Sequence, residues 1–391
     1  MTADCEPAPT VATRIISPSF VRLLLACAGS GISFYLLLSV VPLYVGSAAA
    51  AGLTTGVMLL ATVLTEFAMP ALTARLGYRM LVAFGLVLLG APAVMLTISP
   101  ALPLVLAVCV ARGAGLAVMV VAGTALVAEL VPVDRRGEGL GVYGVAVGVP
   151  AVLGLPLGVY LSARAGFDMV FLLAAVVGLA GLAAVSGLPG RRTTTPGPGE
   201  PSGLLRGLGD SGLLSPAAVF GAVTLAAGVV VTFLPLAVPA ERRGLVAVAL
   251  LIQALLAPVA RWVAGRYGDR RGYGALLVPS VALTALGVAA LTRFDSSAAV
   301  VGGMVAFGIG FGAAQCVTLA VMFSRAPAGS HDRVSALWNL AYDLGMGVGA
   351  AGFGILVVAT GYPGAFAVTA LVLVAALVPA WRDHSSGVRV T

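Results

Sequence analysis

Between residues 20 and 381 one event recurs along the chain. A run of roughly twenty apolar residues is followed by a short polar or glycine-rich break. The runs fall at about 20–45, 50–73, 80–99, 102–130, 139–162, 169–188, 215–238, 245–264, 274–292, 298–323, 334–358 and 362–381. At 1.5 Å of rise per residue, each is long enough to cross a hydrocarbon layer of ~30 Å as a helix. Lipid offers unpaired backbone no partner, so a spanning segment is a helix or part of a closed barrel. Period-two alternation, the barrel pattern, is missing. The runs therefore predict an all-α membrane protein with twelve transmembrane helices.

Composition agrees. The chain is 60% hydrophobic and 9% charged, against about 25% charged residues in a soluble domain. Its mean hydropathy is +1.08. The first run, Leu23 to Val45, exceeds the apolar core of a secretory signal, so we expect it to stay on the protein as a span.

All 22 basic residues are arginine. A P-loop needs a lysine on the phosphates, so an ATP-driven pump carrying its own P-loop is excluded within this sequence. Cys5, Cys27, Cys109 and Cys316 are scattered, and His331 and His384 sit in polar segments. None shares a zinc or haem spacing, so no metal or other cofactor is implied. A membrane enzyme would need a set of catalytic groups, and these residues supply none.

The net charge of +7 does not suggest nucleic acid here, because the arginines follow the loops. With the N-terminus inside, the cytoplasmic segments hold Arg14, Arg22, Arg75, Arg79, Arg135, Arg136, Arg191, Arg192, Arg206, Arg266, Arg270, Arg271, Arg325, Arg333, Arg382 and Arg389. The outer loops hold Arg164, Arg242, Arg243 and Arg293. Sixteen against four is a positive-inside bias that places both termini in the cytoplasm and the protein in the cell membrane. Arg112 and Arg261 are left over, within or near the ends of apolar runs. Arg261 and Trp262 read as a snorkelling arginine and a member of the aromatic belt.

The stretch "PGRRTTTPGPGEPSGLLRGLGDS", Pro189 to Ser211, is rich in proline and glycine and reads as a cytoplasmic linker. It divides the chain into an N-terminal six-helix bundle (1–188), a linker (189–214) and a C-terminal six-helix bundle (215–391). Equal halves suggest an internal repeat. "RGAGLA" at 112–117 answers "GIGFGA" at 308–313, and "AGF" at 165–167 answers "TGY" at 360–362.

One segment is more specific. "GRYGDRRG", Gly265 to Gly272, fits the G-x-x-x-D-R-x-G signature of the major facilitator superfamily and falls between the eighth and ninth runs, where that family carries its second copy. The expected site of the first copy holds "PALTARLGYR", Pro70 to Arg79: Arg75 and Gly77 match, while Pro70 and Ala74 replace a glycine and an aspartate. Arg112 followed by Gly115 resembles the family's fourth-helix arginine motif. "GVPAVLGLPLG", Gly148 to Gly158, resembles a degenerate form of its antiporter motif. The chain thus resembles a drug- or metabolite-exporting member of that superfamily.

The resemblance implies two rocking six-helix bundles, a small-molecule substrate and no cofactor. It also implies that Gly265, Asp269, Arg270 and Gly272, with Arg75 and Gly77, form a gating latch at the cytoplasmic loops. An Asp–Arg pair can bridge neighbouring helix ends with charge-assisted hydrogen bonds. Fixing topology is the other role open to these arginines. Arg112, by the same resemblance, modulates a proton carrier, and a carboxylate (Glu66 or Asp343) is its expected partner.

Charge at membrane depth costs at least ~2.5–3.5 kcal/mol on insertion scales, so each such group needs a reason. "WNLAYDLGMG", Trp338 to Gly347, puts Asp343 near the bilayer midplane. At ~100° per residue, Ser335, Asn339, Tyr342 and Asp343 share about 100° of arc. That stripe predicts a face toward protein or a water-filled cavity. The glycines at 345, 347, 349, 352 and 354 allow a close neighbour or a bend. Asp343 is either a protonation switch, whose charge favours a cationic or donor-rich substrate, or a carboxylate permanently bonded to tyrosine or asparagine.

Glu66 lies within about 40° of Thr55, Thr62 and Thr73, as a second proton or substrate site or as an inter-helix bond. Glu129 is expected to anchor a loop through Arg135 or Arg136. Gln253, Gln315, Asn339, Tyr342 and Tyr35 are expected to face a substrate cavity. Met58, Met119, Met304, Met322 and Met346 either line it or simply pack.

The sequence therefore predicts a monomeric, proton-coupled exporter of small hydrophobic or amphipathic molecules. A proton-coupled metabolite importer or facilitator is the alternative within transport. A non-transporting sensor or scaffold is the alternative from another class.

Overall fold

The computed structural model describes residues 17–132, 135–189, 211–326 and 331–385. Most of the expected linker, with Arg14 and Arg389, lies outside them. The described chain runs through α1 (Pro18–Leu38), α2 (Val40–Val45), α3 (Ala48–Met95), α4 (Leu102–Leu130), α5 (Arg136–Ala165), α6 (Phe167–Ala180) and α7 (Leu182–Val185). It continues through α8 (Ser211–Ala237), α9 (Arg243–Arg271), α10 (Gly274–Ala290), α11 (Ser297–Arg325) and α12 (His331–Ser385). Ser17, Ser47 and Ser296 start α1, α3 and α11 by accepting a backbone N–H three residues on.

Ten of the described helical segments are long and apolar enough to cross a membrane. Two of them are double. α3 breaks at Gly77 (φ 72°) and α12 at Gly361 (φ 68°), in the left-handed region that glycine enters without steric cost. Both chains fold back there. Met58 and Gly85, on opposite limbs of α3, both touch α4 at Gly113 and Gly115. Phe353 and Phe366 stack edge-on across the α12 break with ring centroids 4.9 Å apart. Twelve spans result: α1 with α2, the limbs 48–76 and 78–95, α4, α5, α6 with α7, α8, α9, α10, α11, and the limbs 331–360 and 362–385.

The two halves use the same helix pairs. In the first, Gly113 and Gly115 of α4 press on the 48–76 and 78–95 limbs, leaving no room for a Cβ against Met58 O. In the second, Gly312 and Gly310 of α11 press on α9 at Ala257 and on α10 at Thr284. α1 packs on α5 through Gly154 and Gly158, and α8 packs on the 331–360 limb through Gly345 and Gly349. In each half, then, the fourth span lies against the second and third, and the first against the fifth.

The motif segments differ from expectation. Residues 265–271 continue α9 rather than forming a loop, and only Gly272 (φ 86°) and Tyr273 separate α9 from α10. The 70–76 stretch is likewise helical.

Candidate functional site

α5 of the first half runs beside α9 of the second, and the 48–76 and 331–360 limbs meet along two small-residue faces. Gly52 and Gly56 of the 48–76 limb sit against Ala350, Ala351, Gly347 and Gly354 of the 331–360 limb, and Ala48 against Gly354. A hydrogen bond between the Thr232 and Thr55 hydroxyls (3.2 Å) ties α8 to the same seam. The limb and threonine contacts all lie toward the end that carries Val45, Ala165 and Arg243. The opposite end carries Arg22, Arg75, Arg79, Arg266, Arg270, Arg271 and Arg325. The seam is closed at the arginine-poor end.

Following the two faces toward the arginine-rich end leads to the ionisable groups. At 100° per residue, Asp343 lies within about 40° of Gly347, Ala350 and Gly354, the residues that meet the other half. Glu66 lies within about 40° of Ala48, Gly52 and Leu59, their partners. Each carboxylate therefore points across the seam, Glu66 two turns past Leu59 and Asp343 one turn past Gly347. Both are half-buried and lie within electrostatic range of one another. Neither has a hydrogen-bond partner among the described residues. The exposed Leu344, Val348, Ile355 and Val358 occupy a different arc of the limb, turned to lipid.

The threonines that share Glu66's stripe are bound. Thr62 Oγ1 donates within 3.1 Å of the Met58 and Gly113 carbonyls, and Thr73 Oγ1 donates to Met69 O at 2.7 Å. Glu66 alone of the four is left without a bond.

Arg112 is 2% exposed and takes no carboxylate, contrary to expectation. Its Nη2 donates to Ser33 O of α1 at 2.8 Å and its Nη1 to Leu89 O of the 78–95 limb. It joins three helices of one half. It also borders a slot with Phe34, Thr55 and Met58, of about 10 Å³, room for about one water.

The expected cavity residues separate. Tyr35 and Tyr342 are half-buried and within electrostatic range of Asp343. Asn339 is exposed and Gln315 half-buried. Gln253 is buried where Gly308 of α11 crosses its backbone, with its Oε1 unpartnered among the described residues. Met58, Met119, Met304, Met322 and Met346 are all buried, so packing is their role, with Met58 alone bordering the slot. Trp338 stacks on Phe220 (4.4 Å between centroids) and its Nε1 donates to Thr318 Oγ1 at 3.2 Å.

At the arginine-rich end the expected latch is not made. Asp269 accepts the Tyr273 hydroxyl, four residues on, and Arg270 and Arg75 are exposed without an ion pair among the described residues. Donation to Asp269, with some burial, pushes the Tyr273 phenol up to about 12. Gly265 lies beside Cys316, and Gly272 and Gly77 supply the left-handed turns. Arg135 pairs with Glu138 at 2.8 Å. A bridge the sequence did not reveal closes the second half: Arg325 Nη1 meets Asp383 Oδ1 at 2.8 Å, and Asp383 Oδ2 accepts Ser215 Oγ at 2.8 Å.

Sequence reasoning placed Arg261 with the lipid-facing residues. Its Nη1 instead donates to Gln315 Oε1 of α11 at 3.3 Å. The signal was available: Arg261 is ten residues from the end of α9 and Gln315 ten from the end of α11, so both sit at one depth.

Two matched helical bundles, meeting at a seam that is closed at one end and carries unpaired carboxylates at mid-depth, define a membrane transporter of the alternating-access class. The chain belongs to the major facilitator superfamily, whose family model matches residues 23–350 and 244–387. Among solved structures it is similar to a bacterial homolog of the human lysosomal transporter Spinster in an inward-facing and unoccupied conformation (16% identity, 96% of each chain covered, TM-score 0.71). It is also similar to a POT family transporter in complex with 5-aminolevulinic acid (14% identity, 92% of this chain and 94% of that one, TM-score 0.72). A third is a point mutant of the nucleoside transporter NupG (12% identity, 93% and 99% covered, TM-score 0.72). At these identities the likeness is one of fold. No curated protein matches the chain by sequence.

Proposed function

We propose that this chain is a proton-coupled exporter of small hydrophobic or amphipathic molecules, working as a monomer in the cell membrane. The observation that carries the reading is the Glu66–Asp343 pair. Two carboxylates, one from each half, lie on the facing sides of the two limbs, within electrostatic range and without hydrogen-bond partners among the described residues. Ionised together they repel, and protonation removes the repulsion. The pair therefore favours one separation of the halves when charged and another when protonated. A substrate with a cationic or donor-rich group competes with the proton for the same charge.

Both termini are cytoplasmic in this reading, because the arginine-rich end follows the positive-inside rule. The closed seam then lies on the outer side, and the carboxylates are reached from the cytoplasm. Loading from inside followed by opening outward is the order that export requires. The Gly148–Gly158 stretch, which resembles the antiporter motif, supports the same direction.

Uptake into inside-out vesicles across a panel of candidate compounds, with and without an imposed pH gradient, tests the reading. Accumulation that collapses with an uncoupler is expected. Accumulation indifferent to the gradient would remove proton coupling.

A further inference from the structure

The proposed cycle leaves a mid-depth cation unused, Arg261. We propose that Arg261, held by Gln315, is the recognition site for a carboxylate on the transported molecule. The transported class is then small amphipathic organic acids or zwitterions rather than neutral apolar compounds. The inference rests on the transporter reading above and deepens it.

Depth comes first. Arg261 and Gln315 are each ten residues, ~15 Å of helix, from the arginine-rich end of their helices. Glu66 is eleven residues from Gly77, and Asp343 twelve from His331, which is ~17–18 Å. All four side chains belong to one layer.

Direction comes next. A snorkelling arginine lies on the lipid arc and reaches along its helix toward the headgroups. On α9 the exposed Val259, Trp262 and Val263 mark the lipid arc, centred about 150° from Arg261. Arg261 instead reaches sideways to α11 at its own level. It also lies in electrostatic range of Tyr342, which neighbours Asp343. It remains exposed.

Chemistry then limits the ligand. The guanidinium is a permanent cation with five N–H donors, of which the contact with Gln315 uses one. No carboxylate pairs with it among the described residues. The Gln315 side chain accepts through Oε1, which leaves its NH₂ donors free beside the same fork. A planar fork with donors to spare matches a carboxylate in two parallel hydrogen bonds. An unpaired cation at this depth is costly, so an anionic ligand is favoured. The opposing pair, Glu66 and Asp343, receives the cationic or donor end of the same molecule.

The test needs no gradient, so it can fail while proton coupling stands, and the converse. Purified full-length protein in detergent is titrated with matched probes, 4-phenylbutyrate and its amide, and 6-aminohexanoate and its amide, with thermal stabilisation as the readout. The acids are expected to stabilise the wild-type chain at concentrations at least tenfold lower than the amides. R261Q should erase that preference, and R261K should keep it in weakened form. Equal behaviour of acids and amides, no stabilisation by any acid, or a preference that survives in R261Q overturns the proposal. If R261Q does not fold, Q315L serves: loss of the preference supports the site, and its full retention counts against it.

Discussion

Asp343 of the 331–360 limb and Glu66 of the 48–76 limb face one another across the seam between the halves. They lie ~6 Å and ~10 Å of helix beyond the last close contact, Gly347 against Leu59. The same two limbs thus carry the closing surface and the titratable groups. Whatever changes the carboxylates' charge acts directly on the surface that opens and shuts.

The first prediction concerns that pair. One pH unit is worth ~1.4 kcal/mol, about tenfold accumulation per exchanged proton. D343N should lose this gradient-driven accumulation in proteoliposomes while exchange without a gradient continues. E66Q should weaken it, and the double variant should do no more than D343N alone, because groups acting as a unit are not additive. Gradient-driven accumulation by a folded D343N protein would end the switch role.

The seam itself is testable through Gly52. A Cβ there would run into Ala350 O and approach Gly354 Cα at 3.2 Å, so a larger side chain needs the limbs to part. G52V should hold the arginine-poor end open. In a background without the native cysteines, T55C should react faster with an impermeant thiol reagent from the outside when G52V is present. Unchanged reactivity would mean that the seam yields elsewhere.

The extent to which all this was legible in the sequence differs by residue. The twelve spans were, because hydropathy in lipid is a local property of each run. That a single glycine, Gly77 in α3 and Gly361 in α12, turns the chain back was not, since a glycine's φ depends on the limbs it joins. The depth of Asp343 followed from counting, and a face toward protein or a cavity from its stripe; that Glu66 lies opposite it on the other half did not, because no local pattern pairs two distant helices. Arg112 was assigned a carboxylate because a charge suggests a countercharge. Its real partners are the backbone carbonyls of Ser33 and Leu89, which no residue type announces. Arg261 was misplaced for the same reason: its partner Gln315 lies 54 positions away on another helix.

Tyr273 occupies Asp269, the residue whose counterpart the latch motif would use to bridge helix ends. Y273F should free that carboxylate and favour closure of the arginine-rich end. A cysteine at Asn339 should then become less reactive to a reagent applied from that side. Because the phenol is pushed up to about 12, its proton stays on throughout the neutral range. The contact is complete below the ordinary tyrosine range and is lost only as pH rises through about 12. The effect of Y273F should therefore be the same at neutral pH and two units above it. A difference that appears only on the alkaline side of neutrality would assign the titration to another group.

The Arg325–Asp383 bridge should be worth more than a surface pair. The two side chains are 20% and 9% exposed, and Asp383 also accepts from Ser215. Its loss leaves Arg325 with the Gly212 and Asp383 carbonyls at 3.3 Å. D383A should destabilise the second half by about 1–3 kcal/mol, read from thermal unfolding in detergent. R325A should cost a similar amount, and the double variant less than their sum. Additive losses would mean the two residues act apart.

Arg112 separates a structural role from a coupling role. Its guanidinium donates to two helical carbonyls on two other helices, so truncation removes both charge-assisted bonds and opens a hole beside the slot it borders. A hydrogen bond from a charged group is worth ~1.5–3 kcal/mol, which puts R112A at about 3–6 kcal/mol of lost stability. A lysine keeps the charge but lacks the planar fork, so R112K should lie between R112A and wild type in thermal unfolding. If the role is to hold α1, α3 and α4 together, R112K should retain gradient-driven transport in proportion to the protein that stays folded. A well-folded R112K protein that transports without coupling would instead give Arg112 a part in moving the proton.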